Sequence, residues 1–281
     1  MPWAPTTILR VEKNFPTGAG VVRVVTDQGD GYLKALGHSS GPHVLACEWI
    51  GTHIAKLIGL LTFDFALIEV TERDEIPFVR HEHGTDVPDG EAQPGPAFIT
   101  RSETGQRWGG TAGELRLLAN QKHLTRLVLL DTWIRNPDRH APASCNRKPN
   151  RDNVFLSDEG APAGKKLLKA MDPTHCISNG RALTPHVSDI DGVKDDEIYG
   201  LFPEFEPLLD RAEMTEAIAD LKLVTRDQIS ATIATIPTAW QVDGATRSAL
   251  ADFLVGRAQY VADTLPSGLW PPKLQQSELE L

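Results

Sequence analysis

Asn136-Pro137-Asp138-Arg139-His140, followed by Asp152-Asn153-Val154-Phe155-Leu156 and then Ala170-Met171-Asp172-Pro173-Thr174-His175, decides how this 281-residue chain is read. One acid, Asp138, follows an apolar helical stretch. Asn153 opens a short strand, and Asp172 ends a second one. Phosphoryl transfer from ATP needs this set in this order: a carboxylate to orient the attacking hydroxyl, then oxygen ligands for magnesium.

Working outward from that core, the chain divides into two textures. Upstream, Gly20–Thr26 is β-branched, Asp27–Gly31 is a turn and Tyr32–Leu36 is a second strand, which together form a hairpin. Ile50, Ile54, Leu57 and Ile58 recur at helical spacing between Val44 and Leu60, with Gly59 able to end the helix. Phe65–Val70 and Pro96–Thr100 are strands on either side of a polar loop, His81–Pro94. Ser102–Gly110 reads as a hinge. Downstream, Leu124–Ile134 is a buried helix with Asn120 as its cap and Asp131 as its one acidic interruption. The chain is polar and loop-like from Asp172 to about Asp195 and helical beyond. Thr225-Arg-Asp-Gln228 opens a helix as a capping box, and Ala245–Leu265 is amphipathic. A tail, Pro266–Leu281, is expected to fray.

The bulk composition narrows the function. A formal net charge of −10 leaves no basic surplus to neutralise a nucleic-acid backbone. No apolar run has the length or purity of a membrane span, and Met1–Thr7 lacks the pattern of a signal peptide. Cys47, Cys145 and Cys176 form no CxxC pair, so they read as thiols of a reducing, cytoplasmic compartment. His81-Glu82-His83 has no third ligand at a metal-site spacing, and Trp108, Trp133, Trp240 and Trp270 read as packing aromatics.

Lys34 on its strand, Glu48 on the following helix, a hinge, a buried helix, Asp138, Asn153 and Asp172 stand in the order of parts of protein-kinase-like enzymes. Tyr32-Leu-Lys-Ala35, Glu48 on a helix ending Lys56-Leu-Ile-Gly-Leu60, and the three blocks quoted above resemble the HipA-like kinases over roughly residues 18–178. That family shares its catalytic layout with the phosphatidylinositol 3/4-kinases. The resemblance implies a two-lobe α/β (α+β) fold: a β-rich N-lobe over 1–103, a helical C-lobe over 104–265 and the tail 266–281. It implies Asp138 as the catalytic acid, with His140 neutralising charge at the transferred group. Asn153 and Asp172 are then the Mg²⁺ ligands, with Asp152 a competing candidate. Lys34, held by Glu48, reaches the phosphates of ATP, and Gly18 and Gly20 let backbone amides approach them. Backbone groups near Phe98–Arg101, Thr100 among them, would face adenine. Arg139 is expected to brace the loop through a carboxylate.

The implied reaction is transfer of the γ-phosphoryl of Mg·ATP to a Ser or Thr of a protein, with an antitoxin or regulatory partner possible and no direct nucleic-acid or membrane contact. The short N-terminal region is closest to a stand-alone HipA-like kinase. Two departures from the family stand out: Ala141–Asp152, rich in Pro, Asn, Arg and Lys, intervenes before the Asn, and Pro173-Thr174 replaces the Gly that usually follows the metal acid. The insertion is either a substrate-reading loop or a tolerated surface loop. The rival functions are a small-molecule or lipid kinase on the same site, and a nucleotide-binding module that transfers nothing.

Overall fold

In the computed structural model, which describes residues 2–271, a five-stranded antiparallel sheet forms the first lobe. Its strands are β1 (Ile8–Asn14), β2 (Val22–Thr26), β3 (Gly29–Lys34), β4 (Phe65–Val70) and β7 (Gly95–Arg101), in the spatial order β1-β2-β3-β7-β4. Helix α1 (His43–Leu57) crosses from β3 to β4. The turn between β2 and β3 is Asp27-Gln28, with Thr26 paired to Gly29, so the second strand starts earlier than its apolar residues suggest. The polar segment expected to be a loop is a hairpin instead: β5 (Pro77–Glu82) pairs with β6 (Thr85–Glu91), turning at His83 and Gly84. Both of its faces are largely solvated, so no apolar alternation marks it.

The second lobe opens on a three-stranded sheet, β8 (Gly105–Arg107), β9 (Val154–Ser157) and β10 (Leu167–Ala170), ordered β10-β9-β8. The expected hinge is therefore shorter: β8 lies inside Ser102–Gly110, leaving Ser102–Thr104 to link the lobes. Helices α2 (Ala112–Arg116) and α3 (His123–Trp133) follow, then a short α4 (Ile190–Val193), α5 (Arg211–Leu223), α6 (Arg226–Ala234) and α7 (Gly244–Leu269). Asn120 does not cap α3. Its amide donates to the Leu168 carbonyl (3.0 Å) and accepts from the Leu168 N–H (2.8 Å), tying the helix approach to β10, and Lys122 holds the cap position. The Thr225 capping box forms as read, with Gln228 accepting from the Thr225 N–H at 2.8 Å. Residues 266–269 of the expected tail continue α7, and 272–281 lie outside the described residues. Among the described residues no helix is long and apolar enough to cross a membrane.

Helix α1 joins the lobes. Eleven of its fifteen residues are buried, and Leu45, Ile50 and Ile54 belong to the same apolar core as Leu127, Leu130 and Trp133 of α3. A smaller core, built on Val22, Leu33, Ile68 and Ile99, fills the other face of the first sheet. Trp133 and Trp240 are wholly buried, and their indole N–H groups donate to the Leu254 carbonyl (2.9 Å) and the Pro96 carbonyl (2.8 Å). The site described below therefore rests on a helix packed from both sides.

A charged junction holds α3 to α5. The buried Glu213 carboxylate accepts from Arg126 and from Lys122 (2.7 Å). Burial works against the Glu213 charge, but hydrogen bonds from Lys122 and Arg126 and their positive charges outweigh it and hold the carboxyl below its ordinary range. The unfolded chain thus binds this proton more readily than the folded one. The stabilisation is complete above the unfolded value of about 4.3 and is lost as pH falls through the lower folded value. Glu213→Gln is expected to cost about 1.5–3 kcal/mol at pH 7. In urea unfolding followed from pH 7 into the acid range, the gap to the natural sequence should narrow as pH drops; a gap that is constant with pH would contradict this account.

Candidate active site

A cavity of about 730 Å³ opens between the lobes. Gly18 and Ala19 of the β1–β2 loop, Thr100 of β7 and Phe155 of β9 line it, and so do Lys34, Glu48, Asp138, Asn153 and Asp172. Five residues singled out from their order in sequence thus meet at one wall, although up to 138 positions separate them.

The loop between β1 and β2 is closed by the Phe15 N–H on the Val21 carbonyl (2.9 Å) and by the Val21 N–H on the Thr17 hydroxyl (3.1 Å). Gly18 has open space where a side chain would stand. Gly20 does not face the cavity. It has φ +60°, and a Cβ there would lie 2.4 Å from the His38 ring, so it is a glycine of conformation and close packing.

Lys34 sits at the end of β3 and Glu48 on the inner face of α1. Both are buried, with Nζ 2.6 Å from Glu48 Oε2, 2.7 Å from Asp172 Oδ1 and 2.8 Å from the Thr174 hydroxyl. The one hydroxyl proton of Thr174 is in turn shared between the same carboxylates, with Oγ1 2.5 Å from Asp172 Oδ1. Burial disfavours the Lys34 ammonium, yet Asp172 and Glu48 together raise its pKa above the ordinary value. Burial likewise opposes the Asp172 charge, but Lys34 and the hydrogen bonds of Lys34 and Thr174 hold that carboxyl well below its ordinary range. Glu48 goes the other way: burial, helped by the nearby Asp172 charge, pushes its carboxyl up against the pull of Lys34. Of the two acids around the lysine, Asp172 is the one that stays charged most firmly.

Pro173 has a structural reason. A Cβ on Gly51, one turn along α1 from Glu48, would stand 2.6 Å from Pro173 Cβ. The missing side chain lets the proline ring seat directly on the helix. Asp172 itself has φ +51°, the left-handed region, where an acid is tolerated better than most residues. Next to it, Cys47 and Cys176 exchange thiol-to-carbonyl hydrogen bonds (3.4 and 3.5 Å), and burial pushes the Cys176 thiol well up.

Arg139, wholly buried, braces the loop as expected, and its carboxylate is Asp131 of α3, eight residues earlier: Arg139 Nε donates to Asp131 Oδ2 at 2.7 Å. Its other nitrogens donate to the Asn153 carbonyl and to the Met171 carbonyl (3.0 Å). One guanidinium therefore fixes the loop of Asp138, the start of β9 and the residue before Asp172. Asn136 donates to Asp131 Oδ1 (3.0 Å) and completes the carboxylate.

Asp138 projects into the cavity. Its Oδ2 accepts from Asn153 Nδ2 (2.7 Å) and Asn150 Nδ2 (3.3 Å), and its Oδ1 faces Arg147 at 3.2 Å. The histidine beside it is His175, with Nδ1 3.7 Å from Oδ2. His140, given that role by its place in the motif, lies outside the cavity lining with its ring 4.9 Å from Phe202, and burial lowers its pKa and favours the neutral form. Asp152 lines the exposed rim, paired with Arg107 at 2.7 Å. The backbone of Phe98–Arg101 is committed on both sides, to β3 and to β4. The adenine-facing groups expected there are thus already paired, and the linker residue Glu103 is the one that reaches the cavity outside both sheets.

Residues 24–158 match the family model of the HipA-like kinases. Over that stretch, just under half of the chain, the sequence is similar to the HipA-like kinases. Among solved structures it resembles the Helicobacter pylori proinflammatory kinase CtkA, at 10% identity and TM-score 0.55, over 96% of this chain and 98% of that one. It also resembles a Golgi casein kinase with Mn/ADP bound, at 10% identity and TM-score 0.50, over 93% of this chain and 74% of that one. At such identities the likeness is one of fold, and the fold is the two-lobe kinase fold. No curated protein matches the sequence.

The buried Asp131–Arg139 pair gives this kinase its sharpest test of assembly. Asp131→Asn keeps the shape and removes the counter-charge of a guanidinium that water does not reach. A loss of about 3–5 kcal/mol is expected in denaturant unfolding, since it strands a buried charge. A loss below about 1 kcal/mol, the range of an exposed pair, would show that Arg139 is not held by Asp131.

Proposed function

We propose that this kinase transfers the γ-phosphoryl of Mg·ATP to a hydroxyl, most naturally of a Ser or Thr on a protein substrate. The observation that carries the reading is the convergence of Asp138, Asn153 and Asp172 on one cavity wall with Lys34 held by Glu48. The residues suit a hard divalent cation. Asn153 commits its amide nitrogen to Asp138, which turns its carbonyl oxygen away from that acid, and Asp172 keeps an anionic carboxylate. Among the described residues no cluster of three or more His, Cys, Asp or Glu stands ready to cage a metal. That suits Mg²⁺, which takes few protein oxygens and completes its shell with phosphate and water. The Mn/ADP-bound Golgi casein kinase of the same fold supports the pairing of nucleotide with divalent metal.

In this proposal residues of about 1–103 and 104–265 act as the two lobes, with adenine between them against Val21, Phe63, Phe155 and Met171 and beside the linker at Glu103. The loop at Gly18 covers the phosphates. Lys34, now on Asp172, would turn to the phosphates, and Glu48 would keep its ammonium in place. The metal, held by Asn153 and Asp172, supplies charge neutralisation at the phosphate oxygens. Asp138 orients the acceptor hydroxyl and takes its proton, and Asn153 Nδ2 fixes the carboxylate that does so. His175 stands close enough to share that task, which makes it a better candidate than His140 for the histidine of the site. The three cysteines, all free, support a reducing cytoplasmic setting.

The test is phosphoryl transfer from labelled Mg·ATP to protein acceptors, with titration calorimetry alongside. Asp138→Ala is expected to lower transfer on the order of 10²-fold or more while leaving ATP binding nearly intact. Asp172→Ala should weaken metal-dependent ATP binding, and Asn153→Ala should weaken it less, since an amide brings no charge. Transfer that survives Asp138→Ala would overturn the assignment. Metal-dependent binding that survives both other substitutions would move the metal elsewhere, with Asp152 the next acid on the rim.

A further inference from the structure

The insertion Ala141–Asp152 folds back onto the acid it follows. The Asn150 N–H donates to the Arg139 carbonyl (2.8 Å), which seats the insertion against the loop of Asp138. Arg147 then reaches over the cavity. Its guanidinium lies 3.2 Å from Asp138 Oδ1 and donates to Asn179 Oδ1 at 2.7 Å, bridging the insertion to the loop beyond Asp172. With Asn150 and Asn153 on Oδ2, each oxygen of Asp138 faces a protein partner.

Oδ1, the oxygen not held by the amides, is the one left for a substrate hydroxyl, and Arg147 stands against it. Oδ2 is bound by neutral amides that hold the carboxylate in place, whereas Oδ1 is bound by a cation on a flexible stem that is one-third exposed. The cation is the partner able to leave. The second acid carries the same arrangement, with Lys34 on Asp172. Asp138 and Asp172 thus each face a cation. A triphosphate with one divalent metal brings net negative charge beside those acids and competes for both cations. A guanidinium presents a planar fork of donors that suits two phosphoryl oxygens at once.

We propose that Arg147 is a catalytic residue that the inserted loop supplies, binding the γ-phosphoryl group of ATP and thereby releasing Oδ1 of Asp138 for the acceptor hydroxyl. This rests on the kinase reading above and names a residue which that reading does not use. In the step itself the acceptor oxygen bonds to Pγ while the bond from Pγ to the ADP oxygen breaks. The hydroxyl proton passes to Asp138, and Arg147 carries part of the charge spread over the transferring oxygens. Arg147 makes and breaks no covalent bond.

The experiment compares the full chain with Arg147→Ala and Arg147→Lys by calorimetry with Mg·ATP and with Mg·ADP, and by the rate of phosphoryl transfer. Loss of one donor aimed at transition-state charge is expected to lower kcat on the order of 10²–10³-fold. ATP should lose affinity while ADP keeps it, because only ATP carries the group that Arg147 holds. Lysine should restore part of the rate, and added guanidinium ion should partly rescue the alanine variant, which a merely structural role would not allow. Equal weakening for ATP and ADP, no change in either, or faster transfer once Arg147 is gone would overturn the proposal; the last would make the residue a brake on Asp138. Should the natural sequence bind neither nucleotide, the kinase reading itself fails. Thermal unfolding of both variants separates loss of fold from loss of function.

Discussion

Arg139, with no exposed surface, is the interaction on which the site depends. Its charge is balanced by Asp131 in the last turn of an apolar helix, and its remaining donors go to the carbonyls of Asn153 and Met171. Those are the backbone positions of one proposed metal ligand and of the residue before the other. A guanidinium can do this where an ammonium cannot, because five donors in a rigid plane reach several acceptors in fixed directions. Asp131 is costly to bury alone, and burial pushes its carboxyl up; Arg139 and Asn136 offset that cost. The three segments that carry polar chemistry are thus set by one buried pair and not by their own loops.

Around that brace the charges are arranged in opposition. Asp172 holds Lys34, Asp138 holds Arg147, and Glu48 and Thr174 tighten the first pair. The Lys34 pair holds the Asp172 carboxylate charged despite its burial. In the proposal above, an incoming phosphate group would exchange one set of ion pairs for another. Helix α1 connects the arrangement to the fold. It carries Glu48 toward Lys34 and lays Gly51 against Pro173, so the segment after Asp172 is set by direct contact with the helix. In this chain the proline that replaces the usual glycine is packed, not loose.

Much of this could be read from the sequence, and for physical reasons. Capping chemistry at Thr225 and Gln228, the apolar runs of β4, β7, β9 and β10 and the periodicity of α1 and α3 are local signals, and each element formed within a few residues of its expected place. Strands without an apolar face gave no such signal. β1 is charged and bulged, β5 and β6 are solvated on both sides, and β8 is a three-residue exposed strand that reads as linker. For α5 the signal was present, in the spacing of Met214, Ala217, Ile218 and Leu221 after the cap Asp210, but its limits were not drawn. At the site, residue order brought Lys34, Glu48, Asp138, Asn153 and Asp172 together. It could not tell His140 from His175, because the packing of His140 on Phe202 is a contact across 62 positions. Nor could it place Arg147, since an insertion carries no positional rule of its own.

The most direct measurement is a crystal structure of the full chain with Mg²⁺ and a non-hydrolysable ATP analogue. The expected result is a metal bonded to the Asn153 amide oxygen and the Asp172 carboxylate, Lys34 on the phosphates with Glu48 still at its side, and Asp138 facing the terminal phosphate. A nucleotide bound away from this cavity, or bound in it with Lys34 still closed on Asp172 and no metal between Asn153 and Asp172, would contradict the account.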